Sequence, residues 1–137
     1  MSDQATQRAN GIITVHKYEP ATYSEPDAGP VLTRIHVEES FSGDIVGEGV
    51  VEFLQSSLPD GPASFVGIER VAGTIAGKQG TFLLQDTGTV VGKDVSGEWF
   101  VVPASGTGEL TALRGTGGFK ASLGENAEIW LDYWFEG

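Results

Sequence analysis

Apolar and polar residues alternate with a period of two along most of this chain, and each alternating run is bounded by Gly, Pro, Asp or Ser. The pattern predicts strands over 11–18, 31–42, 44–55, 64–75, 80–91, 97–102, 117–122 and 127–135. Helical spacing is nearly absent. Hairpin-sized turns at 42–44 and 77–80 join the runs into an antiparallel meander. The expected fold is all-β, an eight-stranded antiparallel up-and-down barrel. The connection 19–30 carries three prolines and is expected as a surface loop over one barrel end, while LPDGP at 58–62 supplies turn chemistry for the other long connection. Residues 106–119, GTGELTALRGTGGF, place two glycine clusters around a short apolar turn and one arginine. Such density suits a barrel corner, where the backbone bends sharply and approaches its neighbour closely.

Side chains two apart share a face of a strand, so the alternation also predicts which residues line the interior. In the last run Ile129, Leu131, Tyr133 and Phe135 point inward and Trp130 and Trp134 outward. The same parity sends Ile35, Val37, Glu39 and Phe41 inward, then Val51, Phe53 and Gln55, then Phe65, Glu69 and Val71. Phe82, Leu84, Asp86 and Trp99 follow on the next two strands. Gly47, Gly49, Gly67, Gly73 and Gly88 fall on the same face. They either leave ligand-sized space or permit coiling and are filled by neighbouring aromatic rings.

Composition narrows the chemistry. With 137 residues the chain is the size of one domain, expected as a disordered tail over 1–9 followed by a single barrel over 10–137. Eight Lys plus Arg against 19 Asp plus Glu give a net charge of −11, which disfavours nucleic acid and anionic membranes as partners. The absence of cysteine excludes disulfides, thiolate metal sites and a cysteine nucleophile. No signal-like or membrane-length apolar segment is present, and a cytoplasmic location is the expectation. His16 and His36 fall on the outer face without a third ligand, so no metal and no cofactor are expected. The glycine-rich GTGG at 115–118 lacks the Lys and Ser/Thr of a phosphate loop.

The inward acids carry the chemistry. A buried carboxylate is costly unless it is paired, protonated or in contact with a ligand or water. Glu69, mid-strand among apolar neighbours, is the leading candidate for general acid or base work, with Asp86 and Tyr133 as catalytic companions. Glu39, Phe53, Gln55, Phe65, Phe82, Leu84 and Trp99 are the expected ligand-binding set, and Lys17 is placed to neutralise one acid from the first strand. The alternative for each acid is a polar cluster or salt bridge at a barrel mouth. Outward Trp130 and Trp134 need cover, which a subunit interface would provide.

The ordered segments FSGDIVGEG (41–49), ASFVGIER (63–70), GTFLLQ (80–85), WFVVP (99–103) and GTGEL (106–110) resemble an uncharacterised bacterial family of small proteins with an allene oxide cyclase-like barrel. The resemblance runs from about residue 9 to the C-terminus. The glycine-rich corner is also similar to that of plant allene oxide cyclases and dirigent proteins. The resemblance implies an eight-stranded barrel whose lumen holds a small apolar molecule, in a homodimer or homotrimer. It implies no particular reaction, and the cyclases' cavity cysteine has no counterpart here. Two functions are therefore expected: a cofactor-independent isomerase or cyclase acting on an apolar substrate in the lumen, or a non-catalytic carrier or sensor of a small hydrophobic ligand. A structural protein with a filled core is the third reading.

Overall fold

The structure, a computed structural model, describes residues 6–137. Its strands are β1 (Gln7–Ser24), β2 (Val31–Gly43), β3 (Ile45–Ser57), β4 (Ala63–Ile75), β5 (Lys78–Val91), β6 (Asp94–Val101), β7 (Leu113–Ser122) and β8 (Ala127–Phe135). One short 3-10 turn, Gly108–Leu110, precedes β7. Every strand pairs antiparallel with its chain neighbours and β8 returns to β1, so the sheet closes as the up-and-down barrel that the alternation predicts.

Closure depends on stagger. β1 pairs with β8 through 7–13 and with β2 through 11–24, an offset that tilts the strands as a closed sheet requires. Two sequence boundaries move as a result. Of the expected tail over 1–9, residues 1–5 lie outside the described residues, whereas 7–9 pair with 131–133 in the barrel wall. The expected loop over 19–30 shrinks to 25–30 because β1 continues to Ser24. Pro20 is tolerated there because this half of β1 pairs with β2 alone, and an edge accommodates a missing N–H.

At the β4–β5 hairpin the turn is Ala76-Gly77 alone, with φ of 54° and 76°, and the strand resumes at Lys78. Two consecutive left-handed residues match the twist of the flanking strands. The glycine-rich segment divides likewise: 106–112 make the corner, and the second cluster belongs to β7. There a Cβ on Gly118 would lie 2.9 Å from the Trp130 indole, so the bare backbone seats a flat ring. Trp130 and Trp134 do face outward, half-buried. Part of the cover they need comes from the chain itself, since the Arg114 guanidinium stands 6.0 Å from the Trp134 ring centre.

Parity holds along the wall. On β2 Ile35, Val37, Glu39 and Phe41 are buried and Arg34 exposed; on β4 Phe65, Glu69, Val71 and Ile75 are buried while Val66, Ile68 and Arg70 face out. The inward glycines are filled rather than empty. A Cβ at Gly67 would meet the Phe53 ring at 2.6 Å, and one at Gly88 or Gly97 would collide with Phe65 or Phe119. These rings form a continuous run, with centroids 5.2 Å apart for Phe53–Phe65, 6.1 Å for Phe65–Phe119, 5.1 Å for Trp99–Phe119 and 6.4 Å for Phe41–Trp99. Aromatic contacts at these spacings add cohesion beyond the area they bury.

Candidate functional site

Three carboxyls from three strands meet inside the barrel. Glu39 lies opposite Gly49, Glu69 lies between Val51 and Leu84, and Asp86 lies between Gly67 and Trp99. Their exposures are 7%, 1% and 3%. Glu39 and Glu69 stand close enough for a proton to be shared between them, and both are close enough to Asp86 for their charges to interact. Gly49 creates the opening that lets two of them meet. A side chain there would collide with the Glu69 carboxyl and stand 2.9 Å from the Phe41 ring. The alanine-free notch therefore holds the tip of Glu69 beside Glu39.

Among the described residues no cation answers these charges. All eight Lys and Arg side chains of the chain are on outward or end positions, none of them buried. Lys17, expected to neutralise one of the acids, points outward instead and lies 3.9 Å from the exposed Glu38. The register between β1 and β2 shifts between Val15 and Lys17, and that irregularity inverts the parity on which the expectation rested. Without a counter-ion the acids are pushed toward their neutral forms. Burial is the main cause of the rise at Glu69, which also keeps the proton it shares with Glu39 and feels the charge of Asp86. Burial raises Glu39 too, offset in part by the hydrogen bond from Glu69. Asp86 is pushed up to about 8, first by burial and then by Glu39. Two oxygens, Glu69 Oε2 and Asp86 Oδ1, are buried without any hydrogen-bond partner. Native interiors leave few such atoms, and each calls for an explanation.

The expected ligand-binding residues are all placed on the inner face. Leu84 and Trp99 flank the acids directly, whereas Phe53 reaches them over Gly67. Trp99 donates its indole N–H to the Trp130 carbonyl at 3.1 Å, so that nitrogen is already occupied. Phe82 is fully buried opposite Val71, and Gln55 and Phe65 stand nearer the rim. Tyr133 is inward, but it is not brought to the acids: its hydroxyl donates to Gln7 Oε1 at 3.0 Å. Phe41 and Gly49 are the site residues that sequence reasoning passed over. Their parity was legible, yet only the cross-strand register shows that both adjoin Glu69.

A groove of about 570 Å³ opens at the rim and is floored by Gln55, Phe65, Gly88 and Gly97. A larger outer groove of about 1210 Å³ shares Leu54, Val66, Thr87 and Glu98 with it and has the backs of the strands at Asp86 and Trp99 in its lining, although both side chains are buried. On the outer face His36 is held between Glu38, at 2.7 Å, and Glu52, and those two hydrogen bonds raise its pKa. His16 bonds to Ser40 at 2.5 Å. Neither histidine is near the inner acids, and no group of metal-ligating side chains is assembled among the described residues.

No curated protein matches the chain. Among solved structures, a protein of unknown function from the DUF3224 family of Shewanella oneidensis MR-1 superposes with a TM-score of 0.82 at 30% identity, covering 96% of this chain and 99% of that one. The family described as "Protein of unknown function (DUF3224)" matches residues 9–133, which span all eight strands at least in part, and the chain belongs to that family.

Proposed function

We propose that this barrel binds a small, largely apolar molecule against the Glu39–Glu69–Asp86 cluster, and that Glu69 exchanges a proton with the polar atom of that molecule. The observation that carries the reading is the pair of buried, unpartnered carboxyl oxygens, Glu69 Oε2 and Asp86 Oδ1. Leaving a buried polar atom unpaired costs about 1–3 kcal/mol, a cost that a ligand's hydrogen bond removes. Aromatic walls from Phe41, Phe53 and Trp99 suit the apolar remainder, and the rim groove reaches Phe65 at the edge of the same aromatic run.

As an enzyme the site would run a cofactor-independent isomerisation. Glu69 delivers its proton to one atom of the substrate, and Glu39, already placed to share that proton, takes one from another, so that no net proton is consumed. As a carrier or sensor the same contacts bind without turnover. The engagement of Tyr133 with Gln7 favours that second reading, because it removes one of the expected catalytic companions.

Mass spectrometry of small molecules extracted from natively purified protein tests the proposal, together with Glu69→Gln. The amide preserves the shape of the side chain, while losing the charge-assisted contact weakens capture or turnover by about ten- to more than a hundredfold. A folded Glu69→Gln protein that retains and converts the same molecules as the parent refutes it.

A further inference from the structure

We infer that the ligand class of this site is a hydrophobic amine, bound as its ammonium ion among the three carboxyls and the aromatic rings beside them. The inference rests on the reading above that the cluster meets a ligand's polar atom. It adds the sign of that atom's charge.

The cluster is acidic throughout and has no internal counter-charge. Of the groups that the remaining strands turn inward, only tyrosines titrate: Tyr133, which is bonded to Gln7, and Tyr18, which shares the inner face of β1 opposite Val37 but is 60% exposed. No Lys, Arg or His among the described residues is buried. Three carboxyls offer six oxygens, and Glu69 Oε2 and Asp86 Oδ1 have no partner among the described residues. A neutral acceptor such as a ketone satisfies one carboxylic O–H and leaves the rest of the cluster as it was. A primary ammonium carries three donors on one atom, enough to reach both unpartnered oxygens at once, and its charge is met by the carboxylate left when a carboxyl proton departs.

The surrounding rings point the same way. Phe41 adjoins the Glu69 carboxyl at the Gly49 notch, Trp99 stands opposite Asp86, and Phe53 packs over Gly67 beside it. Aromatic faces next to carboxylates attract organic cations, most strongly where water is excluded. The net charge of −11 would also raise the local concentration of a cationic ligand near the barrel. Binding is linked to protons. An ammonium entering the site displaces a carboxyl proton to solvent, whereas a neutral amine takes that proton from Glu69; both routes end in the same ammonium–carboxylate pair with atoms and charge conserved.

The test is isothermal titration of the purified chain with 2-phenylethylamine and with its neutral isostere 2-phenylethanol, each in phosphate and in HEPES, which has no primary amine, between about pH 6.5 and about pH 8. The amine should bind at least about tenfold more tightly than the alcohol. Its heat should differ between the two buffers in the sense of proton release, and its affinity should rise with pH until the amine itself deprotonates. Glu69→Gln should abolish that preference, and Asp86→Asn provides the same readout if the first variant does not fold. Equal or tighter binding of the alcohol overturns the inference but leaves a ligand-binding barrel standing. Binding of neither compound at millimolar concentration also overturns it, while a neutral molecule recovered from the native protein would still support the broader proposal. If no small molecule is retained and Glu69→Gln changes nothing, that broader proposal falls as well.

Discussion

Asp86→Asn should make this protein more stable at neutral pH, and the gain should vanish in acid. The Asp86 carboxyl has an ordinary value of 3.8 and is pushed up to about 8 in the fold, where it is 97% shielded from solvent with one oxygen unpaired. A folded-state pKa above the unfolded one means that the native protein holds a proton the unfolded chain releases. Stability from this group is therefore fully present below about pH 4 and is lost progressively as pH rises to about 8. At pH 7 the difference spans about three units at 1.36 kcal/mol each, roughly 4 kcal/mol. Asparagine cannot ionise, so it escapes that loss. Against this stands about 1–3 kcal/mol for an amide that inherits the unpaired position. The expected net gain is about 1–3 kcal/mol at pH 7, turning into a loss near pH 4. Urea unfolding followed by tryptophan fluorescence at half-unit steps from pH 4 to pH 8 measures it. The informative quantity is the difference between variant and parent, because the repulsion of a −11 surface acts on both alike. That difference should grow by up to about 1.36 kcal/mol per pH unit across the window. Two parallel profiles would show that Asp86 is not held neutral by its surroundings, and the account of the cluster given above would fail with it.

Two further outcomes test how the backbone holds the site. Gly49→Ala places a methyl group against the Glu69 carboxyl and the Phe41 ring, so it should destabilise the barrel by about 1–3 kcal/mol in chemical denaturation and move the Glu69 carboxyl in a crystal structure; an unshifted carboxyl with unchanged stability would remove Gly49 from the site. At the β4–β5 hairpin Ala76 holds φ 54° ahead of Gly77, so Ala76→Asn, which creates an Asn-Gly turn, should raise stability by about 0.5–1 kcal/mol in thermal or urea unfolding. A decrease would mean that the turn geometry is not the left-handed pair described.

Alternation alone determined the fold class, the number of strands and the orientation of Glu39, Glu69 and Asp86. A period of two is a local property of the extended chain, and in a barrel without covering helices only one face of each strand can be dry. Where the local backbone departs from regular pleating, the reading failed: the irregularity at Val15–Lys17 turned Lys17 away from the acids, and the open side of β1 kept Pro20 within a strand where proline suggested a loop. Whether the inward glycines enclose space or seat rings was equally undecided along the chain, because the rings that fill Gly67, Gly88 and Gly97 come from neighbouring strands. The convergence of the three acids belongs wholly to the tertiary structure. Glu39, Glu69 and Asp86 are 30 and 17 residues apart in sequence, and only the stagger that closes eight tilted strands, with a glycine at position 49 to receive the carboxyl, sets them side by side.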